Sequence, residues 1–190
     1  GPDGEGTYVS RHGVLGHRRL AVIDLEQGEQ PMICGEGRYV LVFNGEIYNY
    51  LELREELIKQ GVNFRTHSDT EVLLHLLIRN REKVFDKLNG MFAFAFLDIE
   101  KGEWILARDH FGIKPLYYTD ALNGQILFAS EIKALLAHPK LQTAVNPVGL
   151  NQYHTFQFCL SEKTLFKGIH KLEPGHVLLG TGGIIRRKIC

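Results

Sequence analysis

The sequence predicts an α+β fold in which antiparallel sheets are covered by helices. Three observations carry that expectation. Strand-like runs are joined by short turns, two helical patterns follow one another between strands, and a run of alternating large and small apolar residues marks one half-buried strand. A doubly wound parallel sheet would instead alternate strand and helix throughout.

In chain order, residues 14 to 23 (VLGHRRLAVI) and 38 to 43 (RYVLVF) carry the β-branched and apolar residues of strands. Residues 50 to 60 (YLELREELIKQ) read as a helix with Leu53, Leu57 and Ile58 on one face, Glu55 four before Lys59, and Gly61 as its stop. Ser68-Asp69-Thr70-Glu71 matches a capping box, in which serine and glutamate side chains reciprocally cover free amides. The helix it opens is expected to run to near Leu88. Phe92, Phe94 and Phe96 alternate with Ala93 and Ala95, placing the rings on one strand face, with residues 103 to 108 (EWILAR) as hairpin partner across Glu100-Lys101-Gly102. A strand near residue 126 (ILFAS), a short helix in SEIKALLA, a helix capped by Asn146-Pro147 and a strand in HVLLG complete the series.

The composition bounds the function. The 190 residues carry 22 Lys+Arg against 22 Asp+Glu, so no basic field exists for nucleic acid or an acidic membrane. An apolar content of 44% fits one domain with a proper core, and no apolar run approaches bilayer length. Cys34, Cys159 and Cys190 lack metal-ligand spacing and read as reduced thiols of a cytoplasmic protein. The nine histidines form no HxxxH or HExxH pair, so no metal site is expected. Gly180-Thr181-Gly182-Gly183 lacks the Lys-Ser/Thr of a phosphate loop and reads as a turn, and Lys114 reads as a loop lysine. The chain opens without Met and closes on Cys190 within a strand-like run, which suggests a piece cut at both ends.

Three positions carry candidate chemistry, each with a plainer alternative. Arg19 sits in an apolar strand, where its fork suits a carboxylate held bidentate or a structural ion pair, the latter favoured about two to one. Asn44-Gly45 is either a hairpin turn or an oxyanion hole of one side-chain amide and one backbone N–H. A helical pattern follows where a second hairpin strand is due, so the two readings stand level. Asp69 either complements the helix dipole or holds the ammonium of an amino-acid ligand. A site for glutamine would need all three.

Eight ordered strings carry a resemblance: GPDGE, HRRLAVIDLEQGEQPM, FNGEIYNYLELREEL, THSDTEVLLHL, LNGMFAFAFLD, ARDHFGIKPLYY, ASEIKALL and GIHKLEPGH. Together they resemble the glutamine-hydrolysing half of the asparagine synthetase family, from Gly1 to about Val177. The resemblance implies an N-terminal-nucleophile hydrolase fold, a four-layer sandwich with two antiparallel sheets between helical layers, here lacking its first strand. It implies hydrolysis of glutamine to glutamate and ammonia, with the ammonia amidating aspartate in a second, ATP-dependent domain. Arg19 would bind the glutamine carboxylate, the backbone of Leu20, Ala21, Val22 and Ile23 would line the pocket, Asn44 and Gly45 would form the oxyanion hole, Glu46 would contact substrate and Asp69 would hold its ammonium.

The family's nucleophile is an N-terminal cysteine whose own α-amine is the base, and position 1 here is Gly1. The chain as given is therefore expected to bind glutamine without turning it over. Residues 1 to 180 would form the amidotransferase domain and 181 to 190 a tail leading towards the synthetase domain. No cofactor is expected in this domain, with ATP and magnesium assigned to the synthetase domain. Partners would be glutamine, that domain and, as an open option, a second copy in a homodimer. The rival readings are a non-catalytic binding or regulatory module and a relative of β-lactam synthetase, which keeps the fold without hydrolysing glutamine.

Overall fold

A computed structural model describes residues 3–19, 28–122 and 124–189, with the side chains of Arg19, Arg187 and Ile189 outside the description. The strands in chain order are β1 (Gly4–Ser10), β2 (Gly13–Arg19), β3 (Met32–Cys34), β4 (Tyr39–Ile47), β5 (Gly90–Asp98), β6 (Glu103–Arg108), β7 (Tyr117–Leu122), β8 (Gln125–Ala129), β9 (His170–Lys171), β10 (Val177–Thr181) and β11 (Ile184–Ile189). The helices are α1 (Tyr50–Lys59), α2 (Asp69–Asn80), α3 (Ile132–Leu136) and α4 (Pro147–Phe156), with a 3₁₀ run over Arg81–Lys87. Every pairing is antiparallel. Six strands form the main sheet in the order β11-β10-β6-β5-β4-β3, beside a β8-β7-β9 sheet and a β1-β2 hairpin.

The alternation on β5 sets the layering. Phe92, Phe94 and Phe96 join Leu41 and Phe43 of β4 in a core against Leu53 and Leu57 of α1 and Val72, Leu73, Leu76 and Leu77 of α2. The opposite face presents Val40, Val42, Ala93, Ala95 and Leu97 to Leu15 of β2, Leu116, Tyr118 of β7 and Leu172. Helices, the main sheet and the shorter strands thus stack in that order. At the edge of the first core the fully buried Asp98 receives two hydrogen bonds from Arg38, each 3.2 Å, and one of 2.6 Å from Arg81.

Several expectations needed correction. Ile58 is half-exposed and leaves Leu53 and Leu57 as the buried stripe of α1. Ser68 does cap α2 by accepting from the Glu71 N–H, but Glu71 reaches past it to Arg65 and Thr66, and the Ser68 N–H donates to Thr66 Oγ1. That helix ends at Asn80, because Arg81 takes a left-handed φ of 52°, and the 3₁₀ run covers the stretch towards Leu88. Asn44 and Gly45 form no turn; β4 runs straight through them to Ile47. β10 spans Val177–Thr181, and Ile184–Ile189 pairs back on it as an edge strand of the main sheet.

Candidate active site

The second half of β4 outlasts its neighbour β3, and this difference in length creates the site. The β3–β4 register pairs Met32 with Leu41 and Cys34 with Tyr39, so residue 30 would fall opposite Phe43. There the backbone no longer pairs, and the Gln30 side chain takes its place. The Phe43 N–H donates to Gln30 Oε1 (2.6 Å) and Gln30 Nε2 donates to the Phe43 carbonyl (2.9 Å). His17 Nε2 lies 3.1 Å from the same carbonyl.

Four residues on, the Ile47 N–H donates to Asp69 Oδ2 at 3.0 Å. Asp69 opens α2 and is almost wholly buried, so its carboxylate fastens the end of β4 to the start of the helix. Burial pushes its pKa up, against the lowering effect of the Ile47 and Thr70 amides, and the Glu46 carboxylate adds to the upward push.

Between these two fastenings lies Gly45. Antiparallel pairing alternates the direction of successive backbone groups. Gly45 stands opposite Phe92, whose N–H and carbonyl both engage Asp109 on the far side. The Gly45 N–H therefore faces the edge away from β5, as do those of Phe43 and Ile47. A side chain at 45 would overlap the Met91 carbonyl oxygen and stand 2.7 Å from the Phe92 Cα, so the close strand crossing requires glycine.

That edge borders a cavity of about 650 Å³ lined by Asn44, Gly45, Glu46 and Asp69. Gly16, His17 and Arg18 of β2 form another wall, and Ala93 and Ala95 supply the small residues that leave the space open. Lys114 also lines it, which its reading as a plain loop lysine missed. Its loop is held by the buried Asp109, whose Oδ1 accepts from Phe111 (3.1 Å) and Ile113 (2.9 Å) and whose Oδ2 accepts from Lys114 (2.9 Å) and Phe92 (3.2 Å). Arg108 completes the hold by donating to the carbonyls of Lys114, Leu172 and Gly112.

Four of the nine expected site residues, Asn44, Gly45, Glu46 and Asp69, thus share one cavity. Arg19 ends β2 beside the cavity-lining Arg18, with its side chain outside the described residues, as are Leu20, Ala21, Val22 and Ile23. Gln30, also on the cavity wall, carried no periodic signal; only its place just before a proline-led strand sets it apart. Neither Cys34 nor Cys159 lines this cavity, and Cys34 borders a separate cleft of about 390 Å³. Among the described residues no group of three His, Cys, Asp or Glu side chains is placed to hold a metal, and no helix is long and apolar enough to cross a membrane.

Stacked antiparallel sheets covered by helices, with Asn44, Gly45, Glu46 and the buried Asp69 around one cavity, give the α+β arrangement that the sequence predicts. The chain belongs to the glutamine amidotransferase domain family, which it matches over residues 1–188. It is 43% identical over 182 residues to asparagine synthetase [glutamine-hydrolyzing] 3 of Bacillus subtilis strain 168, covering 94% of this chain and 29% of that protein. Asparagine synthetase [glutamine-hydrolyzing] 1 of the same strain is 46% identical over 177 residues, covering 92% and 27%. Asparagine synthetase B [glutamine-hydrolyzing] of Escherichia coli K12 is 44% identical over 136 residues, covering 72% and 24%. The chain therefore spans under a third of the length of these relatives. Among solved structures, glutamine phosphoribosylpyrophosphate amidotransferase from B. subtilis, complexed with ADP and GMP, shares the fold. Its TM-score is 0.61 at 24% identity, over 91% of this chain and 34% of that one.

Proposed function

We propose that this chain is the glutaminase part of a glutamine-dependent asparagine synthetase, and that the cavity at the end of β4 receives glutamine. Asp69 holds the substrate ammonium and Arg19 its carboxylate, with the backbone of residues 20 to 23 along the same wall. Glu46 contacts the substrate, and the side-chain amide reaches the open strand edge. There the Asn44 amide and the Gly45 N–H receive the carbonyl oxygen. The nucleophile in this reading is an N-terminal cysteine. Its sulfur bonds to the amide carbon while the carbonyl electron pair moves onto oxygen, held by those two donors. Collapse of the adduct breaks the C–N bond, the proton taken from the thiol leaves with the nitrogen as ammonia, and water then splits the thioester to glutamate.

The ammonia amidates aspartate in a synthetase portion that uses ATP and magnesium; this domain itself uses no cofactor. Glutamine and the synthetase portion are the partners in this reading, a homodimer is a further option, and the setting is the cytoplasm. One observation carries most weight: Gly45, between two fastened residues of β4 and with its N–H turned away from β5, lines the same cavity as the buried Asp69.

Calorimetric titration of the 190-residue chain with L-glutamine tests the binding step, with D-glutamine and L-asparagine as controls. Selective binding of L-glutamine is expected, together with glutamate release once the chain is extended to begin with cysteine. Equal or absent binding of all three would remove the assignment. Binding without hydrolysis by the cysteine-led form would instead favour a regulatory module.

A further inference from the structure

We infer that Gln30 is a positioning residue for the oxyanion hole, acting through the backbone of Phe43; the inference rests on the proposed glutaminase function. One edge of its side-chain amide presents an N–H donor and a carbonyl acceptor side by side, as the edge of a strand does. It engages both backbone groups of Phe43, at 2.6 Å and 2.9 Å, in the register position where β3 would have continued. Phe43 immediately precedes Asn44 and stands two residues before Gly45, so its placement fixes the path of the strand that presents both donors. From Gly45 onwards the strand is fastened independently, by the Ile47 N–H on Asp69.

A continued backbone strand would serve Phe43 equally well but would run on along the edge and cover Gly45. A side chain reaching in from residue 30 satisfies Phe43 and stops there. Among the described residues the arrangement thus reconciles two needs that conflict in an ordinary sheet, a rigid strand and an edge N–H not taken up by a neighbouring strand. Gln30 touches neither the reacting amide nor the groups assigned to the substrate's carboxylate and ammonium. Its loss should therefore weaken the transition state far more than ground-state binding.

The test uses a form of the protein that begins with the nucleophilic cysteine, with Gln30→Met and Gln30→Glu compared to wild type. Methionine keeps the length of the side chain and removes both hydrogen-bonding groups. Glutamate keeps the acceptor for the Phe43 N–H and sets an oxygen against the Phe43 carbonyl. Displacement of the oxyanion donors by a fraction of an ångström to about 1 Å predicts a fall in kcat of roughly 10- to 100-fold for both variants. The KM for glutamine should stay within about threefold, because the groups that grip its two charged ends are unchanged. A Gln30→Met protein with kcat near wild type overturns the inference, and so does a parallel loss of kcat, glutamine affinity and melting temperature in both variants, which would mark a purely structural role. A wild-type form that leaves glutamine intact removes the functional reading and this role with it; an active wild type beside equally active variants removes this role alone.

Discussion

Replacing Asp109 by asparagine probes the hub that ties the main sheet to the cavity wall. The carboxylate is fully buried and accepts four backbone N–H groups, two on each oxygen. Asparagine has the same shape but one oxygen only, so it can serve either Phe111 and Ile113 or Phe92 and Lys114. Its nitrogen then faces two N–H groups as a third donor. Losing two hydrogen bonds to a charged acceptor, at about 1.5–3 kcal/mol each, gives a destabilisation of about 3–6 kcal/mol. That is a large fraction of the roughly 5–15 kcal/mol that holds a domain of this kind together. At about 2–4 °C per kcal/mol the melting temperature should drop by roughly 6–24 °C. The chain has a single tryptophan, Trp104 on β6, whose indole N–H donates to the Gly182 carbonyl (2.6 Å), so its fluorescence in a urea titration reports the main sheet directly. An Asp109→Asn chain within about 1 kcal/mol of wild type would refute the idea that these four amides depend on a charged acceptor.

Three further outcomes follow from two other buried acids. Asp69→Asn should weaken glutamine binding by about 100-fold or more, since it leaves the ligand's charged ammonium without a counter-charge. The same change should hold or raise the melting temperature at neutral pH. A carboxyl pushed upward in the folded state binds its proton more tightly there than when unfolded, so its contribution to stability is fullest in acid and is lost as the pH rises through the raised value. Melting curves of the two proteins across pH, with calorimetry at neutral pH, check both statements. Glu71 behaves in the opposite sense. Burial pushes its carboxyl up, but bonds from the Arg65 and Thr66 amides and the Thr66 hydroxyl outweigh this and hold it low. Its stabilisation is present above the ordinary glutamate range and disappears as the pH falls through the depressed value, so Glu71→Gln should show a flatter acid limb than wild type below the ordinary glutamate range. An unchanged acid limb would count against it.

The sequence disclosed what depends on neighbours along the chain. The Phe-Ala alternation of β5, the Ser68 cap and the Asn146-Pro147 start of α4 each follow from local geometry, and each stands in the structure. Asn44-Gly45 was ambiguous for a definable reason. The dipeptide favours a tight turn, whereas the glycine here answers to a carbonyl contributed by β5, some 46 residues later in the chain. Three features escaped because their causes are distant. β1 has a mostly exposed, weakly apolar pattern and is a strand by virtue of pairing with β2. Lys114 reaches the cavity wall through the fold of a loop organised by Asp109, and Gln30 matters only because β3 ends where it does. Of the expected site, the part on β4 and α2 was readable from motif order, and the part from 19 to 23 lies at or beyond the edge of the described residues.

The two faces of β5 divide labour between neighbouring codons. Odd-numbered positions 93 and 95 keep the chamber roomy by being alanine, while even-numbered 92, 94 and 96 anchor the helices. Ligand capacity and thermal robustness nonetheless meet within a single short segment: enlarging an alanine narrows the chamber and crowds the core against Leu15, Leu116 and Leu172, and trimming a phenylalanine loosens the hold on the helices.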